Sequence, residues 1–236
     1  MHTYWASIFM LPASITKELE LRMKCFLWSH EIEVRGKSKV AWKEVCLPKS
    51  EGGLGIKRIS KVNKSLMAFH TYSILTSRRS LWVEWIQIYR LKNRSFWEVT
   101  CHQNATWTWR KLLQSRPLLR QFLWTKVGNG EKTFLWHDTW CEECPLSRYV
   151  SPRNIAREGM TMCSKVSDVC QQGGWDWPDA WRDLFPVLFQ LQPLRVVSNR
   201  SDAVIWRNSN GNTKQYSAKI VWVLFGVEEI FIRGPM

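Results

Sequence analysis

Cys141-Glu142-Glu143-Cys144, with His137 four residues upstream, has the look of a metal site, because thiolate and imidazole donors a few residues apart can share one zinc ion. A structural zinc site uses two such closely spaced pairs, and Cys163 and Cys170 are too far apart to be the second. His137, Cys141 and Cys144 therefore make a weak metal candidate, and buried or idle thiols are the plainer expectation. Strand synthesis on a nucleic acid needs paired carboxylates that hold two metal ions at the reacting phosphate. The chain has no adjacent Asp-Asp and no aromatic-anchored acidic pair. Asp176 and Asp179, flanking Trp177-Pro178, read as a loop and the cap of the next helix. A Gly-Xaa-Ser-Xaa-Gly elbow and a glycine-rich phosphate loop ending in Lys-Ser or Lys-Thr are also missing. His30, His70 and His102 stand alone and are expected to be structural. The expectation is a chain with no catalytic residue and no cofactor of its own.

Phosphate binding is the chemistry the sequence does favour. The net charge is +14, and its distribution is uneven: up to Gly130 there are 22 Lys plus Arg against 8 Asp plus Glu, and from Glu131 onward 12 of each. A segment so basic points to a polyanionic partner. Lys57, Arg58, Lys61, Lys64, Arg78, Arg79, Arg110, Lys111, Arg116 and Arg120 are the candidates to meet phosphates of RNA or DNA with little sequence selectivity. Of the 16 tryptophans, Trp28, Trp42, Trp82 and Trp85 are expected in the core as anchors of basic helices rather than as base-stacking platforms.

These residues need elements to position them. After Pro12, Ser14 can cap a helix whose Ile15, Leu19, Met23 and Phe26 share a face. The chain turns near Gly36, Val40 to Val45 is a short ordered piece, and Pro48 with Glu51-Gly52-Gly53-Leu54-Gly55-Ile56 reads as a tight loop. Ser60 precedes a second helix with Val62, Leu66, Phe69 and Ile74 on one side. Arg58, Lys61 and Lys64 cluster near its start, where cations oppose the helix dipole unless a phosphate lies close. A third helix carries Leu81, Trp85, Ile86 and Tyr89 and is followed by Arg90, Lys92 and Arg94; a fourth carries Trp109, Leu112 and Leu113 and breaks near Pro117. Phe122 to Val127, Gly128-Asn129-Gly130 and Thr133 to Trp136 predict a hairpin. Further on come a short helix near Val166 to Cys170, a Gly173-Gly174-Trp175-Asp176-Trp177-Pro178 loop and a helix over Trp181 to Leu191. A second hairpin from Ala203 to Trp206 and Lys214 to Tyr216, turning at Asn210-Gly211, and a helix over Ser217 to Phe225 complete the reading.

The expected fold is mainly α with a smaller α+β part: a basic helical half over 1–125, a loop-rich stretch with two β-hairpins over 126–215, and a last piece over 216–236. Seven scattered cysteines and the absence of a secretory leader predict reduced thiols in an intracellular protein. No apolar run reaches the ~18 residues of a membrane helix, so no membrane partner is expected.

An ordered series of short segments carries a resemblance. Tyr4-Trp5-Ala6-Ser7, Phe26-Leu27-Trp28, Val40-Ala41-Trp42, Val45-Cys46-Leu47-Pro48-Lys49, Glu51-Gly52-Gly53-Leu54-Gly55-Ile56 and Asn63-Lys64-Ser65-Leu66-Met67 form its first part. Phe134-Leu135-Trp136-His137-Asp138, Trp140, Pro145-Leu146, and Ile205-Trp206 through Tyr216-Ser217 form the second. Together they resemble the region after the polymerase core in plant LINE-type, non-LTR retrotransposon reverse transcriptases. The resemblance implies that the catalytic palm, which uses magnesium, lies upstream and that a Cys/His zinc-binding module lies downstream. Tyr216 to Phe225 looks like the opening of that module, while Gly226 to Met236 departs from it and supplies no Cys or His, as in a truncated or frame-shifted copy. It further implies thumb-like and connector elements that hold template and primer, an RNA-directed DNA polymerase activity that this stretch does not itself carry, and a nuclear location. The alternatives are an inert product of a decayed element and part of a longer active enzyme.

Overall fold

The computed structural model describes residues 6–29, 40–171, 174–197, 199–208, 211–214 and 216. The expectations for Tyr4, Trp5, His30, Gly36, Gly173, Asn210 and the helix over Ser217 to Phe225 lie outside the described residues. Helices dominate and a small antiparallel sheet accompanies them, as the sequence predicts. Among the described residues no helix is long and apolar enough to cross a membrane. The chain forms two compact units, one from Met1–His70, Thr106–Leu112 and Ser217–Met236, the other from Thr71–Ala105 and Leu113–Tyr216.

In the first unit, α1 (Ala13–Ser29) starts one residue before Ser14, with Thr16 N–H donating to Pro12 O at 3.1 Å. Its inward face holds Thr16 and Cys25, whereas Ile15 and Phe26 are exposed, so the buried stripe is turned from the one expected. Leu19 and Met23 fit either stripe, which is why spacing alone did not choose. A single helical turn, α2 (Trp42–Val45), leads into the glycine loop. There Gly55 N–H donates to Leu47 O at 2.9 Å, and a Cβ on Gly53 would lie 2.1 Å from that same oxygen, so only glycine lets the strands of this loop close. Helix α3 (Ile59–Leu75) follows. Its buried Asn63 donates to Ala6 O at 2.7 Å and Phe9 O at 2.6 Å and accepts from Leu11 N at 2.9 Å, tying the N-terminal segment down by one side chain. His70 Nε2 lies 2.6 Å from Ser7 O, the structural role expected of it, and burial lowers its pKa.

In the second unit, Ser80 caps α4 (Leu81–Trp85) by accepting from Val83 N at 3.2 Å, and the helix runs on as a π-helical stretch, Ile86–Leu91. Helix α5 (Trp107–Gln114), most of which belongs to the first unit, buries Trp109, Leu112 and Leu113 as its pattern predicts; in the second unit Pro117 sits in the first turn of α6 (Arg116–Arg120), where its missing N–H costs nothing. Strand β1 (Leu123–Lys126) does not pair with Thr133 to Trp136. It runs antiparallel to β4 (Ala203–Arg207), Leu123 opposite Trp206 and Lys126 opposite Ala203, while Phe134 makes an isolated bridge to Lys165. The expected hairpin there is thus corrected. Its Gly-Asn-Gly does turn the chain, but around a distant carboxylate. The second hairpin stands: β4 pairs with β5 (Thr213–Lys214) to complete a three-stranded sheet in the order β1-β4-β5. A further hairpin joins β2 (Cys170–Gln171) to β3 (Gly174–Trp175), after α7 (Pro152–Arg157) and α8 (Val166–Val169). The helix expected over Trp181 to Leu191 is broken into a 3₁₀ turn, Asp179–Trp181, and α9 (Pro186–Phe189), because Pro186 cannot donate into a continuing helix. Asp179 lies inside that turn rather than capping it.

Tryptophan fills the core of this unit. Trp136 packs 6.0 Å from Trp177 and 6.2 Å from Trp181 between ring centroids, Trp175 stacks on Trp177 at 5.3 Å, and Leu135, Leu146, Val150, Ile155 and Leu188 close around them. Such rings bury large areas with few rotatable bonds, which lets a loop-rich segment form a core without long helices or strands.

Candidate nucleic-acid interface

The ten basic candidates divide between the units. In the first, Lys57 and Lys64 are exposed; Arg58, Lys61, Arg110 and Lys111 are partly buried. Arg58 Nε lies 3.8 Å from Glu20 Oε2, and Lys111 Nζ sits 4.7 Å above the Trp107 ring, whose indole N–H donates to Met10 O at 2.8 Å. No acidic residue stands in the first turn of α3 to offset the dipole against the cations at its start.

In the second unit Arg78 and Arg79 are exposed just before α4. Arg116 and Arg120 are differently placed. Arg116 donates to Val99 O at 2.6 Å and Trp97 O at 3.4 Å and lies 5.0 Å from the Phe96 ring centroid; burial pulls its pKa down to about 10, which leaves it charged at neutral pH. Arg120 donates to His137 O and lies 5.1 Å over Trp97, its pKa likewise lowered by burial. Both guanidinium groups hold backbone carbonyls of their own unit.

The helix expected to carry Leu81, Trp85, Ile86 and Tyr89 forms between Arg79 and Lys92, but of those four it buries only Ile86. Val83, Ile86 and Leu91 face inward, while Leu81 (86% exposed), Ile88 (64%), Tyr89 (61%) and Trp85 (44%) face out, and Trp82 is exposed with them. The expected core placement of Trp82 and Trp85 is therefore corrected, and Trp28 and Trp42 are only partly buried. Trp85 and Tyr89 have ring centroids 5.7 Å apart, and the Arg90 guanidinium lies 5.2 Å from the Trp85 centroid. Lys92 and Asn93, with φ of 50° and 61°, stop the helix and leave Lys92 exposed. The result is an aromatic face with cations at both ends. Arg90, Lys92, Trp85 and Tyr89 were missed as a surface. The available signal was that Arg78-Arg79 and Arg90 to Arg94 bracket an aromatic run.

Two carboxylates, Asp202 half-buried and Asp138 buried, organise the same unit. Asp202 accepts from Gly128 N (2.6 Å), Gly130 N (2.9 Å), Lys132 N (3.0 Å), Thr133 N (3.0 Å) and Thr133 Oγ1 (2.7 Å). Burial opposes its charge, but the donors from Gly128, Thr133, Gly130 and Lys132 outweigh that and hold the carboxyl below its usual pKa. Asp138 accepts from Ser95 Oγ at 2.8 Å and Phe134 N at 2.9 Å; there burial wins and raises its pKa to about 6. Both line a cavity of about 720 Å³ with Arg94, Glu131, Lys132 and Lys165. Three cations there face three acids, so the lining gives an anion no net attraction.

Of the metal candidates, Cys141 Sγ and Cys144 Sγ lie 3.0 Å apart, while His137 Nε2 lies 3.8 Å from Glu98 Oε2. Burial, then the Arg120 charge, drives the His137 pKa down to about 4. Among the described residues no three His, Cys, Asp or Glu side chains converge as a metal would require.

No family model matches the sequence, and no solved structure matches it. An Arabidopsis thaliana protein named a ribonuclease H protein is 26% identical over 245 residues, taking in 98% of this chain and 37% of that protein. An uncharacterized mitochondrial protein of Arabidopsis thaliana is 30% identical over 145 residues, 61% of this chain and 94% of that protein. The chain belongs to the family of that mitochondrial protein. It spans only about 37% of the length of the ribonuclease H protein.

Proposed function

We propose that the chain is a stretch of a plant LINE-type retrotransposon protein, from the region between a reverse transcriptase palm and its zinc-binding module. In this reading it holds RNA or DNA through phosphates and does no chemistry of its own. The observation that carries the contact role is the outward face of Leu81–Leu91, where Trp85 and Tyr89 stand exposed between Arg78-Arg79 and Arg90-Lys92. Every base has a π face, so stacking on such rings is tolerant of sequence, and the flanking cations suit the phosphates of the same strand. The ordered resemblance along the sequence and the likeness to a ribonuclease H protein support the origin in an element.

The test is fluorescence anisotropy with labelled oligonucleotides at low and moderate salt. Single-stranded RNA or DNA is expected to bind more tightly than a duplex of the same length, and Trp85→Ala to weaken the single strand by about 1–3 kcal/mol. A folded chain that leaves both probes unbound at low salt sinks the proposal. Primer extension with Mg²⁺ or Mn²⁺ is expected to give no product, and product from contaminant-free protein would overturn the second half of it.

A further inference from the structure

We propose that Cys141 and Cys144 form a reversible dithiol–disulfide couple that exchanges with small-molecule disulfides. Their sulfurs lie 3.0 Å apart, so about 1 Å of closure gives a covalent S–S bond of ~2.05 Å. The loop that carries them is held at both ends and in the middle. At one end the Trp140 indole N–H donates to Leu135 O at 3.1 Å; at the other, Cys144 is buried in the tryptophan core beside Leu146 and Val150. Cys144 N–H donates back to Cys141 O at 3.3 Å, closing the turn. Between them Glu142 Oε1 accepts from Arg207 Nη1 at 2.6 Å, and the Arg207 guanidinium lies 4.3 Å over the Trp124 ring. Two thiols fixed in this way meet at a far higher effective concentration than the same pair in a flexible chain.

Exposure assigns the roles. Cys141 is partly exposed and Cys144 is buried, so a reagent reaches Cys141 first. Cys141 Sγ, losing its proton as it attacks, takes one sulfur of a small disulfide RSSR and expels one RS⁻; Cys144 then attacks Cys141 Sγ and expels the second. The two cysteine protons pass to the two RS⁻ groups. The cysteines lose two electrons, the small disulfide gains two, and the products are one protein disulfide and two RSH. Since no third metal ligand stands beside the pair among the described residues, dithiol chemistry fits this loop better than a tetrahedral zinc ion does.

Trypsin provides a direct assay, because cleavage after Lys132 and Arg148 releases Thr133 to Arg148, a peptide holding these two cysteines and no other. The folded chain would be equilibrated in glutathione buffers of rising oxidised fraction, quenched with iodoacetamide, digested and weighed. The expected result is a peptide two hydrogens lighter that carries no alkyl label and that dithiothreitol restores. Its midpoint should come at an oxidised-to-reduced ratio about tenfold lower than for the chain in concentrated urea, equivalent to about 30 mV for this two-electron couple. Equal midpoints in the two states overturn the proposal, as does glutathione carried separately on each cysteine. Protection from label by added zinc under reducing conditions would make the pair metal ligands and overturn it too.

Discussion

Replacing Asp202 tests whether one carboxylate holds the Gly128 to Thr133 turn. Asp202→Ala removes the acceptor for four backbone N–H groups and one hydroxyl, three of the donating residues being buried (Gly128, Gly130 and Thr133). A buried donor left without a partner costs about 1–3 kcal/mol, whereas the Lys132 end is exposed and water can replace the lost bond. Taking about 1 kcal/mol for each of the three buried sites gives a loss of roughly 3 kcal/mol. Asp202→Asn keeps one carbonyl acceptor but turns an N–H₂ toward donors, so its loss should fall between zero and that of the alanine variant. The pH dependence has a definite sign. The folded pKa lies below the unfolded one, near 3.9, so the stabilisation is present above about pH 4 and fades as pH falls through the folded value. The gap between parent and Asn variant should therefore narrow in acid. Urea denaturation at pH 7 and pH 3, with hydrogen exchange at the Gly130, Lys132 and Thr133 amides, reads both effects. An alanine variant within about 0.5 kcal/mol of the parent, with those amides still protected, would refute the reasoning.

Asp138→Asn keeps the contacts to Ser95 and Phe134 but cannot ionise. Because the parent's folded pKa is raised to about 6, the parent is favoured at low pH and loses stability as pH climbs from about 4 through 6, so the variant should gain on it across that window by up to about 3 kcal/mol in urea titrations. Gly128→Ala would put its Cβ 2.2 Å from Arg200 O and 2.7 Å from Ser201 O, both backbone atoms, and should cost about 3 kcal/mol; Gly52→Ala meets nothing within 4 Å and pays only for its φ of 82°, about 1 kcal/mol. Thermal melts of the two variants rank them. Arg116→Ala should lower stability by about 2 kcal/mol through the lost Val99 and Trp97 carbonyl bonds, yet leave the salt dependence of nucleic-acid binding unchanged in anisotropy titrations.

The sequence was most readable where pattern and local chemistry agree. Trp109, Leu112 and Leu113 recur at helical spacing with cations opposite, and α5 buries those three residues. Pro117 marked a real break. The face of Leu81–Leu91 was not readable, because Leu81, Trp82, Val83, Trp85, Ile86, Ile88 and Tyr89 make the run apolar on every side and the π winding abandons the 3.6-residue period that the reading assumed. The false hairpin has another cause. Gly128-Asn129-Gly130 is a strong local turn signal, but the partner of β1 lies at Ala203–Arg207 and the turn is organised by Asp202, contacts far apart in sequence that periodicity does not register. Arg116 and Arg120 were chosen for their charge alone, and nothing in their spacing announced the carbonyls of Val99 and His137 to which they donate.

The salt dependence of binding tests the central claim most directly. With a single-stranded oligonucleotide, log Kd plotted against log salt should rise with a slope near 0.7 for each phosphate neutralised, and the double variant Arg78→Ala/Arg79→Ala, which removes two such contacts, should lower that slope by about 1.4 while the chain stays folded. An affinity indifferent to salt, or a slope unmoved by the loss of both arginines, would contradict the account.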